Sequence, residues 1–483
     1  MSQPILTSSI DGVWQQPGRR VHERRNPGRT DRIAARWSPA TRSQARRAMD
    51  GAARAAAHWS SKGPKTRLGL LREFLKRLEG QAGPLARMIT RENGKTLEES
   101  GAEIRAALAD GRYLLDQVRN DLLRSPGSSG NPKKALIHEP VGVTLLITPW
   151  NFPLATIVRK ILPALAFGNT VVLKPSELTP GPAVGLVRIL QSIPFPPGVI
   201  HLVLGTGAGV GPTLTGHPAL RLISFTGSNR VGLRLAEQTA GRDVRLQLEM
   251  GGKNSLVVLA DADLDAAVEA ALTGGFSCAG QWCTGTGRVI VERSVYELFC
   301  DNLGRAVRAL RTGPGDLKST RVGPVISAQR VRFARRSIRE AVAAGARLVC
   351  GGAAPLPTTR GRSGNYVTPT VLADVLETMA VFHEELFVPV LPVTPAKDEA
   401  DAFRLANLGR FGLSASVFTS SPKKAGRFIR GVEAGIVHHN LHTAFRTSDL
   451  PVSAWRDSGR GIPECGHYSA SFFARPRAVY LND

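Results

Sequence analysis

The sequence predicts an α/β protein with parallel sheets, arranged as two successive lobes. Short β-rich runs alternate with helical stretches after residue 141, and the same alternation resumes after Glu249. Strands joined by helices at this spacing form parallel sheets with right-handed crossovers. The chain has 483 residues, 42% of them hydrophobic, which is enough for about three domains with substantial cores.

The predicted elements follow one another in a regular order. A helical layer comes first, over residues 43–113, because apolar residues recur there every three or four positions. The first lobe then has predicted strands at 141–148, 170–173 and 199–204, with helices at 154–166 and 182–191. The second lobe has predicted strands at 254–259 and 288–291 and helices at 264–273 and 295–310, and residues 351–364 are expected to form a surface loop.

The net charge is the feature that most suggests a polyanionic partner. Lys and Arg number 63 and Asp and Glu 39, giving a formal charge of +24. Such a charge is typical of nucleic-acid-binding proteins. In the densest basic stretch, residues 19–54, however, the arginines alternate with alanines at helical spacing. We interpret them as the solvated face of a helix and expect no nucleic-acid partner.

The remaining composition points to a soluble cytoplasmic protein. The most apolar region, residues 141–157, contains two prolines and is shorter than the ~18 residues of a membrane span, and the N-terminus does not resemble an export signal. The five cysteines form neither an even set nor a metal-binding pattern, which favours a reducing compartment. We therefore expect cytoplasmic localisation, no membrane partner and no metal.

Two segments have the character of phosphate and ribose sites. Residues 221–232 form a predicted strand that runs into Gly227 and then a helix containing Gly232, a junction suited to a phosphate, although a tight strand-to-helix turn explains the same pattern. Lys174 and Glu177 follow another predicted strand, at the edge where parallel sheets bind ligands. Their alternative interpretation is that they are ordinary surface charges.

Three residues are candidates for catalysis. Asn151 lies between two prolines, where a rigid amide could donate to a developing oxyanion, although it could equally be a turn residue. Glu249 has apolar neighbours that would raise its pKa and suit a general base. Cys283 has small neighbours, as an accessible nucleophile requires. The remaining cysteines, Cys278, Cys300, Cys350 and Cys465, are expected to be buried and inert.

Taken together, the motifs resemble those of the NAD(P)-dependent aldehyde dehydrogenase superfamily. They are, in order, Pro-Trp-Asn-Phe-Pro around Asn151, Lys-Pro-Ser-Glu from Lys174, Phe-Thr-Gly-Ser from Phe225, Leu-Glu-Met-Gly-Gly-Lys-Asn around Glu249, Gly-Gln-Trp-Cys ending at Cys283, and Glu-Glu-Leu-Phe from Glu384. The likeness covers nearly the whole chain.

The resemblance implies the domain organisation. A Rossmann-like NAD(P)-binding domain is expected from residues 1–121 and 141–249, and a catalytic α/β domain from residues 250–450. Residues 122–140 and 467–483 are expected to form a small β flap for oligomerisation. Enzymes with this arrangement are homodimers or homotetramers, so we expect a homo-oligomer.

The resemblance also implies the reaction. Cys283 would attack the aldehyde as a thiolate, while the side chain of Asn151 and the backbone N–H of Cys283 stabilise the oxyanion. Glu249 would activate the water that hydrolyses the thioester. The expected reaction is therefore oxidation of a small-molecule aldehyde to the carboxylic acid through a cysteine thiohemiacetal and thioester.

The cofactor implied is NAD, with NADP possible. Lys174 and Glu177 would hold the adenosine ribose, and the Glu177 carboxylate favours a free 2′-hydroxyl over a 2′-phosphate. Glu385 would hold the nicotinamide ribose, with Phe387 against the nicotinamide, and Ser228 would bind the pyrophosphate. Further residues assigned to the cofactor site are Trp150, Gly207, Gly227 and Gly232.

The substrate and two departures from the family pattern leave alternatives open. Trp282 would favour aromatic or apolar aldehydes if it lines the pocket, and Arg159 would bind a substrate carboxylate; each is otherwise a structural residue. Val388 replaces a glycine of the family, and residues 451–459 lack the glycine pair and the lysine of the family pattern. A coenzyme A-acylating or biosynthetic semialdehyde dehydrogenase and a catalytically impaired binding homologue are therefore the rival predictions.

Overall fold

The structure, a computed structural model, describes residues 4–123, 133–354 and 363–481. The strands are β1 (Ile5–Leu6), β2 (Ser9–Ile10), β3 (Val13–Trp14), β4 (His22–Asn26), β5 (Arg29–Trp37), β6 (Lys133–Pro140), β7 (Val143–Ile147), β8 (Thr170–Lys174), β9 (Ile200–Leu202), β10 (Leu220–Thr226), β11 (Arg245–Glu249), β12 (Asn254–Val258), β13 (Thr286–Glu292), β14 (Arg347–Cys350), β15 (Thr370–Ala373), β16 (Val390–Ala396), β17 (Phe411–Gly412), β18 (Ser414–Phe418), β19 (Ile436–His439), β20 (Trp455–Arg456), β21 (Gly459–Gly461) and β22 (Ala474–Leu481).

The helices connect these strands and cover the sheets. They are α1 (Arg42–Ser61), α2 (Pro64–Gly80), α3 (Ala82–Asn93), α4 (Leu97–Leu123), α5 (Ala155–Ala166), α6 (Pro180–Gln191), α7 (Gly207–Thr215), α8 (Asn229–Thr239), α9 (Leu264–Phe276), α10 (Tyr296–Arg308), α11 (Ala328–Ala343), α12 (Ala380–His383), α13 (Glu399–Ala406), α14 (Pro422–Gly431) and α15 (Ser469–Phe473), with short 3₁₀ turns at Ser277–Gly280, Arg293–Val295 and Gly466–Tyr468. None of these helices is both long and apolar enough to cross a membrane.

The first large sheet has eight strands in the order β21-β11-β10-β7-β8-β9-β2-β3. Its five middle strands are parallel, as the sequence predicts. Both faces are covered, because Val143 and Leu145 of β7 pack with α1, whereas Leu146 packs with α5. A parallel sheet covered on both faces brings the carboxyl ends of its strands together at one edge.

The second large sheet has seven strands in the order β14-β15-β16-β13-β12-β18-β19. All its neighbouring strands are parallel except β14 and β15. The apolar side chains of β12, β13 and β16 form its core with α9 and α10. The predicted boundary at residues 249/250 falls between β11 and β12, which belong to different sheets. Only β21, which pairs antiparallel with β11, joins the first sheet from outside the predicted ranges.

A separate two-stranded ribbon is formed by β6 and β22. The strands pair antiparallel over eight residues, from Lys133 with Leu481 to Pro140 with Ala474. The ribbon lies within the segments expected to form the flap, of which residues 124–132 and 482–483 are outside the described part. Residues 355–362 of the expected surface loop are also outside it.

Candidate active site

The candidate catalytic residues meet where strands of the first sheet end opposite the start of β13. Asn151 follows β7, Glu249 is the last residue of β11, and Cys283 lies three residues before β13. The charges of Glu249, Glu385 and Arg159 all act on the Cys283 thiol. The fold therefore brings these sequence-predicted residues together.

Cys283 is the accessible cysteine of the five. It is half-buried, whereas Cys278, Cys300, Cys350 and Cys465 are buried, as the sequence predicts. Burial raises the pKa of the Cys283 thiol to about 11, although the positive charge of Arg159 opposes this shift. Since the thiolate is the nucleophilic form, Cys283 needs activation when substrate and cofactor bind.

The backbone before Cys283 follows an unusual path. Cys278, Ala279 and Gly280 have φ values of 53°, 55° and 69°, so three consecutive residues are left-handed. The side chain of Gln281 spans this turn, because its Nε2 donates to Cys278 O at 3.2 Å and its Oε1 accepts from Ile326 N at 2.8 Å. The turn is thus held in a conformation that non-glycine residues seldom adopt.

Asn151 is buried and held by hydrogen bonds on either side. Its Nδ2 donates to Gln281 O at 3.1 Å, which joins it to the backbone two residues before Cys283. Asn93 Nδ2 donates to Trp150 O at 2.9 Å, and Glu103 Oε1 accepts from Leu154 N at 2.8 Å at the start of α5. A primary amide has two N–H groups, so one remains for a ligand oxygen.

Glu249 is buried, and its Oε2 has no hydrogen-bond partner. Burial raises the pKa of its carboxyl well above the ordinary value, and the negative charge of Glu464 raises it further. The sequence predicted this direction from the apolar neighbours of Glu249. A raised pKa brings the carboxyl closer to the operating pH, which suits proton transfer by a general base.

A buried ion network that the sequence analysis missed lies beside Glu249. Lys160 Nζ is 2.8 Å from Glu464 Oε2 and also donates to Ser224 Oγ at 2.8 Å, and Arg159 Nε is 3.3 Å from Glu464 Oε1. The cations of Lys160 and Arg159 lower the pKa of Glu464 although burial opposes them. The available signal was the adjacent pair Arg159 and Lys160 in an otherwise apolar helix.

At the ribose end of the site, Lys174 ends β8. Its Nζ donates to Pro175 O at 3.0 Å and lies 3.8 Å from Glu177 Oε2. Burial lowers the pKa of Lys174, partly offset by Glu177, whose side chain is 37% exposed. Both groups thus lie at the edge of the sheet where the sequence predicted a ribose site.

The predicted phosphate site is the amino end of α8. Ser228 is the N-cap residue, and its side chain makes no capping bond to a first-turn N–H group, which leaves this helix start suited to an anion. The glycines have packing reasons: a Cβ on Gly227 would lie 2.5 Å from the Phe225 ring, and one on Gly232 would lie 2.3 Å from Met250 Sδ. Gly207 begins α7, which packs against α8.

Glu385 and Phe387 border the same cleft from the second sheet. Glu385 Oε1 accepts from Gly252 N at 3.1 Å, and burial raises the pKa of its carboxyl to about 7. The Phe387 ring stands perpendicular to Trp150 at 5.6 Å. These positions suit the two ends of a dinucleotide, so the residues present fit NAD(P).

The structure accommodates both departures from the family pattern. The left-handed residue of the Glu385 loop is Phe387, with φ of 54°, and not Val388, which is buried. Residues 451–459 lead through β20 into β21, and Gly459 at the start of β21 pairs with Glu249. The altered segment therefore leads into the edge strand β21, which pairs with the strand that carries the candidate base.

The substrate side of Cys283 has an aromatic wall. Trp282 contacts Phe152, with ring centroids 5.5 Å apart, and His442, at 6.4 Å. Burial lowers the pKa of His442, which favours its neutral form. In the described part of the chain, no set of three or more His, Cys, Asp or Glu residues is arranged to hold a metal ion.

Comparison with known proteins identifies the family. Residues 14–479 match the Aldehyde dehydrogenase family. The chain is 37% identical, over 86% of each chain, to the succinate-semialdehyde dehydrogenase (NADP(+)) GabD of Escherichia coli, and 35% identical, over 86% of each, to the glutarate-semialdehyde dehydrogenase of Pseudomonas putida. It superposes with a TM-score of 0.93 on a betaine aldehyde dehydrogenase of Staphylococcus aureus in complex with NAD+, at 31% identity over 99% of this chain and 95% of the other. The chain therefore belongs to the aldehyde dehydrogenase family, whose members oxidise aldehydes to carboxylic acids with NAD(P)+.

Proposed function

We propose that the enzyme oxidises an aldehyde that carries a second, anionic group such as an ω-carboxylate, with Cys283 as nucleophile. The observation that carries the proposal is the surplus of positive charge beside the thiol. Arg159 Nε lies 3.3 Å from Glu464 Oε1 and Lys160 Nζ lies 2.8 Å from Glu464 Oε2, so two basic side chains share one carboxylate.

The surplus charge is directed toward the substrate. Lys160 is fully buried, whereas the Arg159 side chain is 15% exposed and close enough to Cys283 to lower the pKa of the thiol. A substrate carboxylate bound there would neutralise the network. Charge-assisted bonds to arginine are strong and geometrically selective. The semialdehydes of succinate and glutarate, named for the two relatives above, both carry such a carboxylate.

The residues suggest a division of the chemistry. The Cys283 thiolate adds to the aldehyde carbon to form a thiohemiacetal, and the free N–H of Asn151 stabilises the oxyanion. NAD(P)+, when bound, supplies the hydride acceptor. Glu249 then removes a proton from the water that hydrolyses the Cys283 thioester, and the free acid leaves. A general base at this position favours hydrolysis over acyl transfer to coenzyme A.

The charge of Arg159 is tested by substrate comparison. In Arg159→Gln, we expect kcat/KM for succinic semialdehyde to fall about 10- to 100-fold, since one charge-assisted bond is worth about 1.5–3 kcal/mol. The value for butanal, which has the same chain length and no charge, should change little. Arg112→Gln, which removes an arginine with a 56% exposed side chain, controls for a general loss of positive charge. Equal losses for both aldehydes in Arg159→Gln would contradict the proposal.

The same assay separates the rival functions. An aromatic aldehyde is included because Trp282, Phe152 and His442 would favour it, and its preference over succinic semialdehyde would overturn the anionic assignment. Cys283→Ala should abolish NAD(P)H formation. Turnover that requires coenzyme A would support the acylating alternative, and cofactor binding without NAD(P)H formation by the unmodified protein would support the impaired homologue.

The cofactor preference proposed is for NAD. The Glu177 carboxylate lies at the end of β8 beside Lys174 and would repel a 2′-phosphate, whereas it can accept from a 2′-hydroxyl. Rates with NAD and NADP at equal concentration test this, and a clear preference for NADP would refute it. Glu177→Gln should bring the rate with NADP closer to the rate with NAD.

The homo-oligomer proposed would form through the β6–β22 ribbon. The ribbon exposes apolar side chains at Leu136, Ile137, Tyr480 and Leu481. Exposed apolar residues grouped in this way are typical of interaction surfaces. Light scattering should give the mass of a dimer or tetramer, and Tyr480→Glu should shift the population toward the monomer. A monomeric unmodified protein would contradict the proposal.

A further inference from the structure

The left-handed turn Cys278–Gly280 before Cys283 requires a stabilising contact from elsewhere in the chain. Cys278 and Ala279 both carry a Cβ, and residues with a Cβ are disfavoured at positive φ. Such conformations persist only when surrounding interactions hold them. Because Cys283 follows five residues after Cys278, the conformation of the turn sets the direction in which the thiol and its backbone N–H point.

Glu99, near the start of α4, makes this contact. Its Oε1 accepts a hydrogen bond from Cys278 N at 2.6 Å, across 179 residues of sequence. Its Oε2 accepts from Thr96 N at 2.8 Å, while Thr96 Oγ1 accepts from Glu99 N at 3.1 Å. One carboxylate therefore belongs to the capping box of α4 and holds the strained turn at the same time.

The Glu99 carboxylate is suited to both tasks because an ionised carboxylate only accepts hydrogen bonds, through two oxygens. An amide at this position can accept through one oxygen and would turn an N–H toward one of the two backbone donors. Glu99→Gln therefore preserves the size of the side chain and removes one of its two hydrogen-bond acceptors. The glutamine variant can therefore accept a hydrogen bond from Cys278 N or from Thr96 N, but not from both.

We infer that Glu99 is a positioning residue, which sets the geometry of Cys283 by holding the left-handed turn Cys278–Gly280. The inference rests on the proposed role of Cys283 as nucleophile. The α4 capping box alone would make Glu99 a stabilising residue with no effect on the chemistry. The two roles predict different results for variants of neighbouring residues.

The experiment compares Glu99→Gln with two controls from the same helix start. Thr96→Ala weakens the capping box and leaves the contact with Cys278, and Glu98→Ala removes an adjacent glutamate whose side chain is 79% exposed. The readouts are the rate of the first-turnover burst of NAD(P)H, the pH profile of Cys283 alkylation by iodoacetamide, and thermal stability. Cys283→Ser identifies the alkylated thiol.

We expect Glu99→Gln to slow the burst about 10- to 100-fold, the size of effect that follows from misplacing a reacting group by about 1 Å. Its KM for NAD should stay near that of the unmodified enzyme, and its alkylation profile should shift. Thr96→Ala should lose stability and keep both the burst and the profile, and Glu98→Ala should change none of the readouts.

Adding Cys278→Gly to Glu99→Gln should recover part of the lost burst rate, because glycine adopts positive φ without a steric cost. If Glu99→Gln alone does not fold, the burst rate is measured in the double variant instead. An unchanged burst in both Glu99→Gln and Glu99→Ala, the second of which keeps neither acceptor, equal slowing in Thr96→Ala, or no recovery with Cys278→Gly would overturn the inference. Activity that survives in Cys283→Ala would instead overturn the proposed nucleophile, so the two failures are distinguishable.

Discussion

Replacing Asn151 with alanine should reduce turnover far more than it reduces stability. The amide is buried, and one of its two N–H groups donates to Gln281 O at 3.1 Å, which leaves a single N–H for the oxyanion. Removal of one preorganised oxyanion donor costs about 10²- to 10³-fold in kcat, or roughly 3–4 kcal/mol. The neutral aldehyde carbonyl gains much less from the donor, so KM should change by less than about threefold.

Steady-state NAD(P)H formation at saturating cofactor measures the effect, with thermal unfolding recorded in parallel. Asn151→Ala also leaves Gln281 O without its donor, and we expect a stability loss of about 1–2 kcal/mol from that change. Asn407→Ala is the control for losing an asparagine that bonds the backbone away from the site, because Asn407 Nδ2 donates to Gly431 O and its Oδ1 accepts from Glu433 N, both at 2.8 Å. It should lose comparable stability and retain its turnover. A decrease in kcat of less than about fivefold in folded Asn151→Ala would refute the role of the amide.

Two further variants concern buried carboxyls. Glu249→Gln should keep the first-turnover burst of NAD(P)H. Its steady-state turnover should fall by about 10²- to 10⁴-fold, because glutamine cannot accept the proton of the hydrolytic water. Unchanged steady-state turnover would exclude Glu249 as the base. For the unmodified enzyme, hydrolysis should accelerate as the pH rises through the raised pKa of Glu249. Glu385→Gln should raise the unfolding temperature at pH 8 and leave it unchanged near pH 4. The pKa of Glu385 is raised from about 4.5 to about 7 by burial, so the native state is progressively destabilised as the pH rises through this interval. An equal shift at both pH values would contradict that assignment. Because Glu385 is the expected ligand of the nicotinamide ribose, its replacement should also raise KM for NAD.

The two lobes could be predicted because their elements depend on local pattern. The predicted helix at 154–166 is α5, Ala155–Ala166, and the predicted strand at 170–173 is β8, Thr170–Lys174. In both cases the hydrophobic period and the flanking turn residues lie within a few positions of the element itself. The predicted helix at 264–273 extends to Phe276, because its end depends on the turn that leads to Cys283.

The candidate nucleophile, oxyanion donor and base were also identifiable from sequence. Asn151, Glu249 and Cys283 each stand in a short motif beside glycine, proline or small residues, and such motifs predict the end of an element and an accessible side chain. The raised pKa of Glu249 followed from the apolar residues on either side of it. The glycines at 227 and 232 were identified as special, although the structure shows that packing against Phe225 and Met250 requires them.

The sequence by itself thus determined the family, the order of the elements and the residues that meet at the ends of the strands. Only the tertiary structure decided which charges surround the thiol and what holds it in place. Glu464 lies 304 residues from Lys160, and Glu99 lies 179 residues from Cys278. Neither partner can be chosen from local pattern, because many acidic residues of the chain are chemically equivalent until folding brings one of them to a buried cation or backbone N–H. The desolvation that comes with burial then makes the chosen partner obligatory, since an unpaired charge or backbone N–H in the interior is costly.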